Sequence, residues 1–249
     1  MVVFPFRRAS PRGLPAAAWQ HGAAGRTPGE RRTNGRHARP AGHCDDGGVT
    51  RERPLDAYLR RRDFARTAEP RGGGAGAGDR PCFVVQLHDA RRVHFDFRLE
   101  ADGVLMSWAV PKGPSADPGV KRLAMPTEDH PLAYRDFEGV IPQGEYGAGP
   151  VIIWDEGTWE PEHDVPVARA LRAGHLSFRL AGRKLRGGWA LTRFRDGGPG
   201  GRGEAWLLVK RAGSGGNAGA RGAPDPARAR SARSGRTLGQ VRREAERAG

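Results

Sequence analysis

The run Phe83-Val-Val-Gln-Leu-His88-Asp89-Ala-Arg-Arg-Val-His94-Phe95-Asp96-Phe97-Arg98-Leu99-Glu100 reads as two β-strands joined by a short polar turn. Side chains alternate across a strand, so Phe95, Phe97 and Leu99 face a core while His94, Asp96 and Arg98 line the opposite face. The apolar row holds the strand rigid, and the polar row sets an imidazole, a carboxylate and a guanidinium in one line. His88 stands six residues ahead of His94.

Outward from that pair, short Val-, Ile-, Phe- and Trp-rich runs recur. They predict strands over 82–87, 93–100, 104–110, 122–126, 150–154, 158–161, 176–180, 189–194 and 205–210. Turn chemistry separates them, as in Ala101-Asp102-Gly103, Pro111-Lys112-Gly113-Pro114, Gly144-Glu-Tyr-Gly147 and Asp155-Glu-Gly157. Only 165–173 looks helical between 81 and 210. Many short strands with tight turns predict a mainly β fold: a small closed antiparallel β-barrel with few short helices and disordered basic flanks.

The chain divides into four zones. Residues 1–48 are Arg, Ala, Gly and Pro without apolar periodicity and are expected to be disordered. Residues 49–80 form an arm in which Leu55, Tyr58, Leu59 and Phe64 lie near helical spacing, followed by a Gly-rich linker. Residues 81–210 are the folded body. Residues 211–249 return to Gly, Ser, Ala and Arg and are expected to be largely disordered, with a short helix over 238–247.

The formal net charge of the 249-residue chain is +14, but residues 81–210 carry 17 basic and 17 acidic side chains, so the excess lies in the flanks. Basic arms around a neutral body suit a polyanion, although arginine-rich flanks also arise from coding bias. Two cysteines, Cys44 and Cys82, make no disulfide framework and fit a reducing cytoplasm. No stretch reaches the about 20 apolar residues of a membrane span, and no signal-peptide pattern opens the chain. The expectation is a soluble, cytoplasmic, nucleoid-associated protein with no membrane partner.

His88, His94 and Asp96 form a ligand set that leaves coordination positions open to substrate; it suits Mn or Fe, and Zn less exclusively. An isolated His-x-Asp is more often a hydrogen-bonded surface pair, and His88 weakens that reading without removing it. A guanidinium at Arg98 is able to grip two phosphate oxygens at once. His130, in Glu128-Asp129-His130-Pro131, is suited to donating to a phosphate oxygen or to acting as a general acid.

Taken together, Val85-Gln-Leu-His88-Asp-Ala90, His94-Phe-Asp-Phe-Arg-Leu-Glu100, Ser107-Trp-Ala-Val-Pro-Lys-Gly-Pro114, Glu128-Asp-His-Pro-Leu132, Tyr134 and Ile141-Pro-Gln-Gly144 resemble the 3'-phosphoesterase domain of bacterial DNA ligase D. The resemblance extends from about residue 55 to 210 and includes Arg62-Asp63-Phe64 and Thr67-Ala-Glu69-Pro70 of the arm. It implies an eight-stranded barrel with an active site in an outer groove. It also implies a manganese-dependent enzyme that removes 3'-terminal ribonucleosides and 3'-phosphates in non-homologous end joining, leaving a 3'-hydroxyl.

By the same resemblance, His88, His94 and Asp96 match metal ligands for Mn2+ or another divalent transition metal. Arg98 and His130 match phosphate contacts, Tyr134 an active-site tyrosine, and Asp63 and Glu69 arm positions tied to activity. Lys112 and Arg122 are further candidates for contact with nucleic acid. The implied partners are DNA or DNA–RNA 3' ends, with separate ligase, polymerase and end-binding proteins around a stand-alone member. Leu87, Phe95 and Met106 replace a usual lysine, tyrosine and lysine, and Met125-Pro126-Thr127 departs from the family pattern; none of these is a proposed ligand. Two rival classes remain: a non-catalytic DNA-tethering module, and a cupin-type Fe(II) oxygenase.

Overall fold

The computed structural model describes residues 54–74, 78, 80–198, 203–215 and 224–248. The disorder expected for 1–48 falls outside them. The strands are β1 (Cys82–Asp89), β2 (Val93–Ala101), β3 (Val104–Val110), β4 (Lys121–Pro126), β5 (His130–Pro131), β6 (Gly139–Ile141), β7 (Gly149–Pro161), β8 (His175–Gly182), β9 (Arg186–Arg195) and β10 (Ala205–Lys210). Neighbours run β1-β2-β3-β4-β10-β9-β8-β7, and β7 pairs back onto β1, so eight antiparallel strands close a barrel. Beyond the ring, β6 adds to β7 and β5 to β3. Three short helices accompany it: α1 (Asp56–Arg60), α2 (Val167–Arg172) and α3 (Leu238–Ala248).

The β2–β3 hairpin follows from its turn. Ala101 pairs with Val104, leaving Asp102 and Gly103 as a two-residue loop at φ 49° and 79°, the left-handed pair that a type I′ turn requires. Alternation then sorts the side chains. Phe83, Val85 and Leu87 of β1 and Phe95, Phe97 and Leu99 of β2 enter the barrel core beside Trp108, Trp189 and Trp206. Each such side chain contributes about 1.5–3 kcal/mol on burial. The outer face of β1 is buried as well. Val84, with Leu105, Ile141 and Ile153, packs against Tyr58 of the arm and against Tyr134 and Phe137, which follow in and after a 3₁₀ turn over Leu132–Asp136. The arm therefore docks on the outside of the barrel through α1, and the Tyr58 hydroxyl donates to the Pro70 carbonyl at 2.5 Å.

Two expectations differ from the structure. The strands expected at 150–154 and 158–161 are one strand, β7, because Asp155, Glu156 and Gly157 pair with Val85, Val84 and Phe83 of β1 instead of turning, and the ladder only shifts by one residue at Trp154. The buried Asp155 carboxylate accepts from the Lys184 and Leu185 amides at 2.9 and 2.7 Å. A Cβ on Gly157 would lie 2.3 Å from the Ala181 carbonyl oxygen, so only glycine lets β8 pass. Gly157→Ala is expected to cost about 3 kcal/mol by overpacking, read as a lower urea midpoint at unchanged m-value.

The tail differs too. Residues 224–248, part of the segment expected to be largely disordered, pack on the barrel with Ala229 and Val241 buried in its main cluster. Few apolar residues anchor them, but their arginines find carboxylates on the body. Arg233 pairs with Asp136 and Glu156, and Arg236 with Glu138 at 2.7 Å. Net charge counted by segment conceals such pairing.

Candidate metal and phosphate site

The register of β1 against β2 places His88 opposite His94, Gln86 opposite Asp96 and Val84 opposite Arg98, all on the outer face. Ligand atoms of His88, His94 and Asp96 lie within 4.8 Å of one another. His88 Nδ1 is 3.6 Å from Asp96 Oδ2, and His94 Nε2 is 3.5 Å from Asp96 Oδ1. The other ring nitrogens are tied to carbonyls: His88 Nε2 donates to Gly147 O at 2.7 Å, and His94 Nδ1 donates to Arg92 O at 2.9 Å. A carbonyl only accepts, so each proton sits there and both remaining lone pairs face Asp96. Burial alone would raise the Asp96 carboxyl, but Arg98 and contacts with both histidines outweigh it and hold the group well below the ordinary carboxylate range. Three acceptors converging in this way, with outer-shell carbonyls fixing the imidazoles, fit a divalent transition cation.

Arg98 lies behind the carboxylate and is only 3% exposed. Its Nε donates to Gln86 Oε1 at 2.8 Å, Nη1 donates to Ser107 Oγ at 2.7 Å, and Nη2 pairs with Asp96 Oδ2 at 3.2 Å. Nη1 also lies 2.9 Å from His130 Nδ1. Of five N–H bonds, one on Nη2 has no partner among the described residues. The two-oxygen grip open to an unengaged arginine is therefore not available here.

His130 on β5 sits between two guanidinium groups, with Arg62 Nη2 3.2 Å from its Nε2 and the Glu128 carbonyl 2.8 Å from its Nδ1. Burial, then Arg98 and Arg62, lower its pKa well below the usual histidine value, so the ring is neutral. Arg62 comes from the arm and stacks 3.8 Å over the Tyr58 ring. It donates from Nε to Glu69 Oε1 at 2.8 Å and from Nη1 to Glu128 Oε1 at 3.2 Å. Tyr134 donates its hydroxyl to Glu69 Oε1 at 2.9 Å and packs edge-on to His130 at 4.6 Å. Burial, then Glu69, push its phenol well above the ordinary value.

These groups line one groove of about 1210 Å3, together with Glu128, Glu145, Tyr146 and part of α3. A profile of the DNA ligase D 3'-phosphoesterase domain matches residues 86–193, the stretch that carries the triad, Arg98, His130 and Tyr134. Residues 86–193 belong to the DNA ligase D 3'-phosphoesterase domain family. The multifunctional non-homologous end joining protein LigD of Pseudomonas aeruginosa is 54% identical over 160 residues, 64% of this chain and 18% of that protein. The multifunctional non-homologous end joining DNA repair protein LigD of Mycobacterium tuberculosis is 48% identical over 156 residues, 61% of this chain and 19% of that protein. The Mycolicibacterium smegmatis relative is 42% identical over 159 residues and is covered to 20%. The chain thus spans about a fifth of the length of these relatives.

Within the matched domain and its arm, the sequence-derived residues separate by location. His88, His94, Asp96, Arg98, His130 and Tyr134 line the groove, and Glu69 supports it through Arg62 and Tyr134. Asp63 is exposed and shapes the arm instead, its Oδ1 accepting from the Ala65 amide at 3.0 Å. Lys112 and Arg122 do not line the groove; Lys112 is exposed, and Arg122 lies on β4 with its Nε buried and unpartnered. Arg62, Glu128, Gln86, Ser107 and Arg242 were not singled out from sequence. Gln86 was findable, since it shares the outer face of β1 with His88. Among the described residues no helix is long and apolar enough to cross a membrane.

Proposed function

We propose that the domain over 81–210, with the arm over 49–80, is a manganese-dependent 3'-end-processing phosphoesterase of DNA repair. It removes 3'-terminal ribonucleosides as a phosphodiesterase and 3'-phosphates as a phosphomonoesterase, leaving a 3'-hydroxyl. The convergence of the His88–His94–Asp96 triad with Arg98 and His130 in one groove carries this reading.

Electrostatics supports a metal in the role. Glu69 and Glu128 offset Arg62, and Asp96 offsets Arg98, so these side chains alone present no net positive charge to a phosphate. A divalent cation on His88 Nδ1, His94 Nε2 and an Asp96 oxygen would supply that charge and lower the pKa of a bound water. Arg98 keeps Asp96 ionised and offers its remaining Nη2–H to a nonbridging oxygen. Neutral His130 has no proton already in hand to give: the Glu128 carbonyl holds the ring proton on Nδ1, so Nε2 accepts from Arg62 Nη2 and the ring aims that guanidinium into the groove, where an anionic oxygen meets it. Tyr134 and Glu69 act through Arg62 and His130, as positioning residues.

The substrates are 3' ends of DNA or DNA–RNA primer-templates in the cytoplasm, at the nucleoid. Separate polymerase, ligase and end-binding proteins act after this step, on the 3'-hydroxyl it leaves; the relatives' naming as non-homologous end joining proteins supports that reading. A labelled primer-template with one 3'-terminal ribonucleotide tests the reading. Shortening with Mn2+ and none with EDTA is expected. A band shift without cleavage would assign a tethering module instead, and oxygen uptake with Fe(II) an oxygenase.

A further inference from the structure

The family match ends at residue 193, but the groove continues past it: α3 contributes Arg242, Ala245 and Glu246 to its wall. Helical spacing selects them. Leu238 and the buried Val241 hold the helix to the barrel, and positions 242, 245 and 246 fall on the adjoining stripe. Arg242 Nη2 donates to Asp89 Oδ2 at 2.6 Å. Asp89 directly follows His88 in the chain, and both line the same groove as Arg242, so this guanidinium shares the groove with the triad. The pair is half in solvent, with side chains 51% and 31% exposed, so water screens it and a better anion displaces the carboxylate readily. Arg91, from the β1–β2 turn, lines the same groove.

We infer that Arg242 is a phosphate clamp for the strand that leads to the reacting 3' end. On binding it leaves Asp89 and takes an internucleotide phosphate upstream of the scissile group, with Arg91 beside it. Asp89 holds the guanidinium aimed into the groove until nucleic acid arrives. This rests on the proposed function, since it presupposes a nucleic-acid 3' end at the triad. The chemistry at the end itself is left to residues of the matched domain, whereas α3 adds strand affinity.

The test is a binding isotherm on a primer-template that already ends in a 3'-hydroxyl, the unreactive product, with Mn2+ present and salt varied. Arg242→Gln is expected to weaken binding about fivefold and to reduce the slope of log Kd against log salt by about one. Asp89→Asn is expected to act in the opposite direction and tighten binding, a change that misfolding would not produce. One neutral methylphosphonate near the end should weaken the wild type and not weaken Arg242→Gln further. An unchanged salt slope, or the same methylphosphonate penalty in both proteins, overturns the clamp. These are binding readouts, so they are distinguishable from catalysis: coupling without turnover on a 3'-phosphate sinks only the proposed chemistry, and turnover without coupling sinks only the clamp.

Discussion

His94→Ala is expected to lower manganese-dependent hydrolysis of 3' ends by at least about 10³-fold, which is about 4 kcal/mol of transition-state stabilisation. The geometry confines the loss to chemistry. His94 makes one hydrogen bond, to the Arg92 carbonyl, and reaches Asp96 through its other nitrogen, so its removal opens no core cavity. Its neighbours Phe95 and Phe97 keep β2 in place inside the barrel. Two ligands would remain, His88 and Asp96, a set that holds a labile divalent ion poorly. The purified variant should unfold within about 1 kcal/mol of the wild type and bind Mn2+ far more weakly by electron paramagnetic resonance. Normal turnover in a variant with weak Mn2+ binding would detach the triad from the reaction.

Arg98→Ala is expected to damage both function and fold. It leaves the Asp96 carboxylate buried without its guanidinium and strips partners from Gln86 and Ser107. Breaking a buried pair from one side typically costs about 3–5 kcal/mol, because the remaining charge stays desolvated. Arg98→Lys separates charge from geometry. An ammonium keeps the positive charge but replaces a planar fork with a single point, so it does not satisfy Gln86, Ser107 and Asp96 together. The lysine variant should fold at a modest cost and still lose about 10²-fold in kcat, since Asp96 and His130 lose the group that sets them relative to each other. Wild-type kcat in Arg98→Lys would reduce Arg98 to a bulk counter-charge.

Much of the barrel was legible because its strands obey period-2 alternation and glycine-bearing turns. Phe95, Phe97 and Leu99 against His94, Asp96 and Arg98 is that rule at its clearest. The break at Asp155-Glu-Gly157 misled for a physical reason: an aspartate and a glycine mark a turn locally, whereas here they cap two amides and admit a neighbouring strand. The triad is nearly local, with three ligands on one hairpin, so residue spacing alone raised it. His130 and Tyr134 arrive from β5 and the 3₁₀ turn, and nothing periodic joins them to β2; their place came from the family resemblance.

The electrostatic detail was less accessible. Arg98 reads as a phosphate fork until the structure shows its donors committed to Gln86, Ser107 and Asp96. Tyr58, placed near helical spacing, signalled that the arm docks, but not that it carries Arg62 to His130. Arg242 lies 153 residues from its partner Asp89, a pairing that no local rule reaches.

Release of inorganic phosphate from a primer-template ending in a 3'-phosphate, followed as Mn2+ is titrated, tests the central claim most directly. The wild type should release one phosphate per end, saturate with one Mn2+ per chain, stop on addition of EDTA, and leave an end that a polymerase extends. No release with any divalent metal, or release that persists both in EDTA and in His94→Ala, would contradict the assignment of the groove.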